Sequence, residues 1–133
     1  MQESYTKSTL HILLVSDIHE SWEYVEKLEK INKSYDFVLV SGDQANCNNL
    51  IGETTDPKLN QLAEESNKRI IESLSKRLVD GGKVFYIPGN HDAEILFKPD
   101  DEPKIGTSMN IHTKVTEISP GLMLAGFGGS LPT

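Results

Sequence analysis

Three short polar clusters hold most of the side chains of this 133-residue chain that could do chemistry: Asp17-Ile18-His19, Gly42-Asp43 and Gly89-Asn90-His91-Asp92. Carboxylate, imidazole and amide oxygen together suit borderline divalent cations. Residues two apart on extended backbone point the same way, so Asp17 and His19 can face one ion. The two oxygens of Asp43 are enough to bridge two cations, and Gly42 before it removes a side chain where backbone must come close to a ligand. Asn90 offers an amide oxygen and His91 an imidazole that can carry a proton. Asp92 offers a carboxylate to hold and orient that ring. Each cluster alone is a weak signal, since Asp and Asn are also common turn and cap residues. Their order and shared placement carry the weight.

Each cluster stands just past an apolar, largely β-branched run. Residues 10–16 form a short, nearly continuous apolar stretch, which predicts a central strand covered on both faces. Trp22, Val25, Leu28 and Ile31 then recur every three residues among charged ones, predicting an amphipathic helix with Ser21 as its cap. Residues 36–41 repeat the buried-strand pattern. Residues 44–58, rich in Asn, Thr, Gly and Asp, read as a long loop. Leu62, Ile70, Ile71, Leu74 and Leu78 mark a second helix, with Gly81-Gly82 as its stop signal. Residues 83–87 make the third strand, closed by Pro88-Gly89. The order β-α-β-α-β predicts parallel neighbours joined by right-handed crossovers, with the polar clusters at the carboxyl ends of the strands, where open α/β sheets place their sites. Beyond Asp92 come a Pro- and Asp-rich stretch and two strands, residues 110–118 and 122–127. Ser119-Pro120-Gly121 between them predicts a β-hairpin.

Composition narrows the function classes. At 37% hydrophobic, the chain fits one domain with a real core over residues 1–133. A formal charge of −7 with scattered Lys and Arg argues against bulk nucleic-acid binding through phosphate neutralisation. The single cysteine, Cys47, permits no internal disulfide, and no secretory or membrane-length apolar stretch occurs, so a soluble, cytoplasmic protein is expected. His11 and His112 fall in predicted strands and read as satisfied sheet residues. The glycines of Gly126-Phe127-Gly128-Gly129 read as a strand end or bend.

The clusters at Asp17-Ile18-His19, Gly42-Asp43 and Gly89-Asn90-His91-Asp92 resemble the first three motifs of the calcineurin-like metallophosphoesterases, over residues 10–92. The resemblance implies the N-terminal β-α-β-α-β part of an α/β/β/α sandwich, followed here by the β-hairpin. It also implies a phosphomonoesterase or phosphodiesterase with a binuclear metal centre and metal-bound hydroxide. By it, Asp17 and His19 would bind a first metal, Asp43 would bridge, Asn90 would bind a second, and His91 with Asp92 would act on the substrate. The chemistry is coherent: two cations about 3.5–4 Å apart can clamp attacking and leaving oxygens and generate hydroxide at neutral pH. Mn, Fe, Zn and Mg all suit such ligands. His91→Ala is expected to abolish most turnover in the intact enzyme while metals stay bound.

The chain also departs from the family pattern. No later histidine followed by Gly-His-x-His is present, so the first metal would keep three protein ligands and the second two. Glu20 stands where many members have Gly, and Gln44-Ala45-Asn46-Cys47 lacks the acidic residue often found there. The domain is therefore expected to be incomplete, with one apolar sheet face uncovered and open to self-association or to a missing C-terminal half. Two functions follow as expectations. One is a metal-dependent hydrolase of small phosphate esters; the other is a catalytically inactive, truncated relative acting as a metal- or protein-binding module.

Overall fold

Apolar runs and amphipathic segments alternate along the chain, and they assemble as four parallel strands with helices between them. The structure is a computed structural model and describes residues 9–46, 57–98, 102 and 104–129. Strands β1 (Ile12–Val15), β2 (Tyr35–Ser41), β3 (Leu78–Ile87) and β4 (Met109–Asn110) lie in that order in one sheet, every neighbouring pair parallel. Helix α1 (Trp22–Glu29) joins β1 to β2, and helix α2 (Pro57–Ser75) precedes β3. A short 3-10 helix, Glu94–Phe97, follows the third strand. Strands β5 (Lys114–Ser119) and β6 (Leu122–Gly126) form a separate antiparallel hairpin. Cys47 lies outside the described residues, as does most of the expected 44–58 loop.

Period-two alternation along the strands divides the core between the two faces of the sheet. Val38, Val40, Val84 and Tyr86 face the helices and meet Val25, Ala63, Ile70, Ile71 and Leu74. Phe37 and Phe85 face the other way, toward Ile111 and Ile118, with Leu39, Ile87 and Leu124 packed around them. The helices thus cover one face and the hairpin covers the middle of the other.

Four local expectations are corrected. The first strand is an edge strand, not a central one. Among the described residues it pairs only with β2, and Leu14 on the face away from the helices is 73% exposed because the hairpin does not reach that far. The pair Gly81-Gly82 lies within β3 instead of stopping a helix, since α2 already ends at Ser75. The chain pairs Tyr35 with Leu78 and then Phe37 with Lys83, and the extra residues bulge out through Gly81 at φ +80°. Residues 110–118 are two elements: Met109–Asn110 joins β3, and the chain turns at Thr113, φ +59°, before β5. Ser21 occupies the N-cap of α1, but its side chain makes no capping hydrogen bond.

The loops after β1 and β2 continue their backbone pairing beyond the strands. Asp17 N donates to Gly42 O (3.1 Å), His19 N to Asp43 O (2.9 Å) and Glu20 N to Gln44 O (2.9 Å). The β2 and β3 loops approach so closely that Gly42 and Gly89 touch. A Cβ on Gly42 would lie 3.1 Å from the Gly89 backbone, and one on Gly89 would lie 2.6 Å from Asp43 N. Gly42 is required by this meeting of backbones and by its own φ of +96°.

Gly89→Ala is therefore expected to destabilise the protein by about 1–3 kcal/mol through overpacking. Gly121→Ala, at φ +77° with open space around its Cβ, isolates the backbone contribution and should cost roughly 1 kcal/mol. Urea unfolding with an unchanged m-value measures both. A Gly89 variant no less stable than the Gly121 variant would refute the close approach.

Candidate metal centre

The three loops bring His19, Asp43 and His91 together, with Asp17 beside His19, at the carboxyl end of the sheet. Asp17, His19, Glu20 and Asp43 all have positive φ, at +53°, +46°, +55° and +55°. Among the described non-glycine residues only Thr113 shares this conformation. Left-handed backbone costs an L-residue about 1–2 kcal/mol, so its concentration here marks loops held by their surroundings. The local backbone is not extended, and the alternation expected for Asp17 and His19 does not operate. The two side chains still converge, His19 Nε2 lying 3.6 Å from Asp17 Oδ1.

Asp43 is the hub. Its Oδ2 lies 3.9 Å from His19 Nε2, and its Oδ1 lies 3.4 Å from His91 Nδ1 while accepting a hydrogen bond from His91 N at 3.0 Å. The two imidazoles meet edge to face, with ring centroids 4.8 Å apart. One ligand atom from each of His19, Asp43 and His91 falls within 4.8 Å of the others. Asp17 is exposed on the His19 side and accepts a short hydrogen bond from Ser16 Oγ. Asn90 is half-buried in the loop that carries His91. His91 Nδ1 is buried and has no hydrogen-bond partner, which is costly for a polar atom. An orphaned imidazole nitrogen facing a carboxylate, with a second imidazole on that carboxylate's other side, fits a borderline divalent cation.

Asp92 sits elsewhere than beside the His91 ring. Its side chain is turned into the protein and its residue is 2% exposed. Oδ2 accepts from Asp43 N and Gly89 N, both at 2.8 Å, and Oδ1 accepts from Ala45 N at 2.7 Å and Asn67 Nδ2 at 2.8 Å. The carboxylate facing the His91 ring is that of Asp43. Burial pushes the Asp92 carboxyl above its ordinary value, the hydrogen bonds from Gly89, Ala45 and Asn67 pull it back in part, and the charge of Asp43 adds to the rise.

Two polar residues of this region, Asn67 and Gln44, escaped sequence reasoning, and both are buried. The signal for Asn67 was a polar residue inside the apolar stripe Ala63, Ile70, Ile71, Leu74 of α2. Glu20, noted only as a departure from the family pattern, ties loops together. It accepts from Asn46 N at 3.1 Å and, through a short hydrogen bond, from Ser66 Oγ on α2. His112 is away from the cluster: its Nδ1 accepts from Gly128 N at 2.9 Å, and its ring stands between those of Phe97 and Phe127.

Asp92→Ala would leave three backbone N–H groups and one amide without their acceptor. At about 1–3 kcal/mol for each buried unpaired group, a loss of at least roughly 3 kcal/mol is expected in chemical unfolding. Asp92→Asn should also destabilise, because its NH2 would face donors. A loss under about 1 kcal/mol for the alanine variant would show that the carboxylate does not hold these loops.

A family model described as calcineurin-like phosphoesterase matches residues 10–130. No curated protein matches the chain. The matched stretch contains all three loops and every member of the His19, Asp43, His91 cluster. By sequence match, parallel sheet and convergent site together, the chain belongs to the calcineurin-like phosphoesterase family.

Proposed function

We propose that this chain is a metal-dependent hydrolase of small phosphate esters, with Asp17, His19, Asp43 and Asn90 as metal ligands. The observation that carries this reading is the convergence of His19, Asp43 and His91 on one point within the family match. A divalent cation bound there supplies Lewis acidity and a lowered pKa for a coordinated water. Two ions, drawn from Mn, Fe, Zn or Mg, are favoured by the way Asp43 divides its oxygens, Oδ2 toward His19 and Oδ1 toward His91. Asp17 stands beside His19 on one side, and Asn90, in the His91 loop, would serve the other.

The chain's own residues would then do the following. Asp43 holds the two sides of the site at a fixed separation through one rigid carboxylate. His91, half-buried beside Asp43, places a proton donor or positive charge next to the transferring phosphoryl group, whose transition state asks chiefly for positioning and charge stabilisation. Asp92 keeps the β2 and β3 loops in register from beneath and does not touch the substrate. No helix among the described residues is long and apolar enough to cross a membrane.

A second reading has one observation in its favour. His91 Nδ1 lies as close to Asp43 as a shared ion would require, so His91 can itself be a ligand.

Turnover of a chromogenic phosphate ester with added Mn²⁺ is expected, with loss on chelation and in Asp43→Asn. Turnover indifferent to both would sink the hydrolase reading. His91→Ala, assayed for bound Mn²⁺ and activity together, divides the two roles. Retained metal with turnover lowered at least about 100-fold supports the proton-donor role, and parallel loss of both makes His91 a ligand.

A further inference from the structure

Helix α2 contributes no side chain to the metal cluster, yet one of its residues reaches two of the loops that do. Asn67 is 1% exposed and sits where the helix's apolar stripe faces the sheet. Its Nδ2 donates to Asp92 Oδ1 and to Gln44 Oε1, both at 2.8 Å, and its Oδ1 accepts from Ala93 N at 3.1 Å. Gln44, wholly buried, donates in turn from Nε2 to Ile87 O at 3.1 Å. One amide therefore binds the residue after Asp43, the residue after His91 and the residue after that. Both of its N–H groups are used, and so is its oxygen. An apolar residue of similar size would fill the space and strand Ala93 N, Gln44 Oε1 and one bond of Asp92.

Helix packing alone has no need of this arrangement. Ile70, Ile71 and Leu74 already bury the same face of α2 against the sheet. What the amide adds is a fixed distance between the two loops. Asp92 in turn holds Asp43 N and Ala45 N, and Asp43 Oδ1 holds His91 N. The separation of the Asp43 carboxylate from the His91 ring is set two hydrogen bonds away from Asn67.

We propose that Asn67 is a positioning residue for the metal centre, acting through Asp92 and Gln44 to fix the Asp43 carboxylate against His91. This rests on the metal-dependent reading above only in its metal arm. Residues that orient metal ligands from behind typically change affinity 10–100-fold when removed.

Three forms of the full chain test it: wild type, Asn67→Ala, and Ile71→Val as a packing control on the same helix face. Asn67→Asp, which keeps the bulk and the acceptor for Ala93 N but loses both donations, replaces the alanine variant if that one does not fold. Amide hydrogen exchange at Asp43, Ala45 and Gly89 is read in metal-free protein, and Mn²⁺ affinity by titration calorimetry. The Asn67 variant is expected to speed exchange at those three amides by at least about tenfold beyond its global loss of stability. Its Mn²⁺ affinity should fall roughly 10–100-fold, with Ile71→Val changing neither beyond its global loss. An Asn67 variant indistinguishable from Ile71→Val in exchange and affinity would overturn the proposal. Faster exchange in a protein whose wild type takes up no Mn²⁺ would support the positioning role and defeat the metal reading instead.

Discussion

The carboxylate of Asp92 gathers Asp43 N, Ala45 N, Gly89 N and the amide of Asn67 onto two oxygens, and the rest of the site is arranged around that cluster of donors. A carboxylate is suited to the place because it is acceptor-only and can receive several N–H groups at once. Loops that turn sharply after a strand lose their ladder partners, and a buried N–H without an acceptor costs about 1–3 kcal/mol. One buried side chain meets that need for both loops. Burial of the charge is itself unfavourable and pushes its carboxyl up, and the hydrogen bonds from Gly89, Ala45 and Asn67 offset part of that rise.

That arrangement explains why strained backbone can persist where it does. Asp17, His19, Glu20 and Asp43 keep left-handed φ because their N–H groups are already committed, to Gly42 O, Asp43 O, Gln44 O and the Asp92 carboxylate respectively. The loops behave as a continuation of the parallel sheet, with side chains redirected by the positive φ. Ligand atoms set in place by backbone hydrogen bonds need little further ordering when an ion arrives, which lowers the entropic cost of binding. Local strain is exchanged for preorganisation.

Much of the fold was legible in the sequence because its signals are local. The strand runs ending at Val15, Ser41 and Ile87, the helix stripes, and the placement of the polar clusters all depend on neighbours within a few residues. What was not legible depends on partners far along the chain. Nothing near Leu14 says that β1 ends the sheet or that its outer face is left exposed, because strand order and the placement of the hairpin are set by residues far along the chain. Gly81-Gly82 carries the chemistry of a helix stop and of a strand bulge equally, and the pairing with Tyr35 and Phe37 selects the bulge. Asp92 follows His91 directly, which suggested a pair. Neighbours in a tight loop point apart, and its partners come from residues 43, 45, 67 and 89. Of the candidate site, His19, Asp43 and His91, which meet in the structure, were readable and the wiring behind them was not.

The wiring also bears on the kind of ligand the site attracts. Asp17 and Asp43 stand in one site with only histidines as ion-pair partners among the described contacts; no Lys or Arg reaches them there. In a chain of net charge −7 the local field therefore favours a cation. A phosphate ester is itself anionic, and it would meet like charge at both carboxylates, an interaction of about 1 kcal/mol in water at 4 Å and several-fold stronger near a protein surface. On the function proposed here, affinity for the ester would then rise with cation occupancy. On that reading, the same carboxylates that would draw the ion would keep the ester out until it is there.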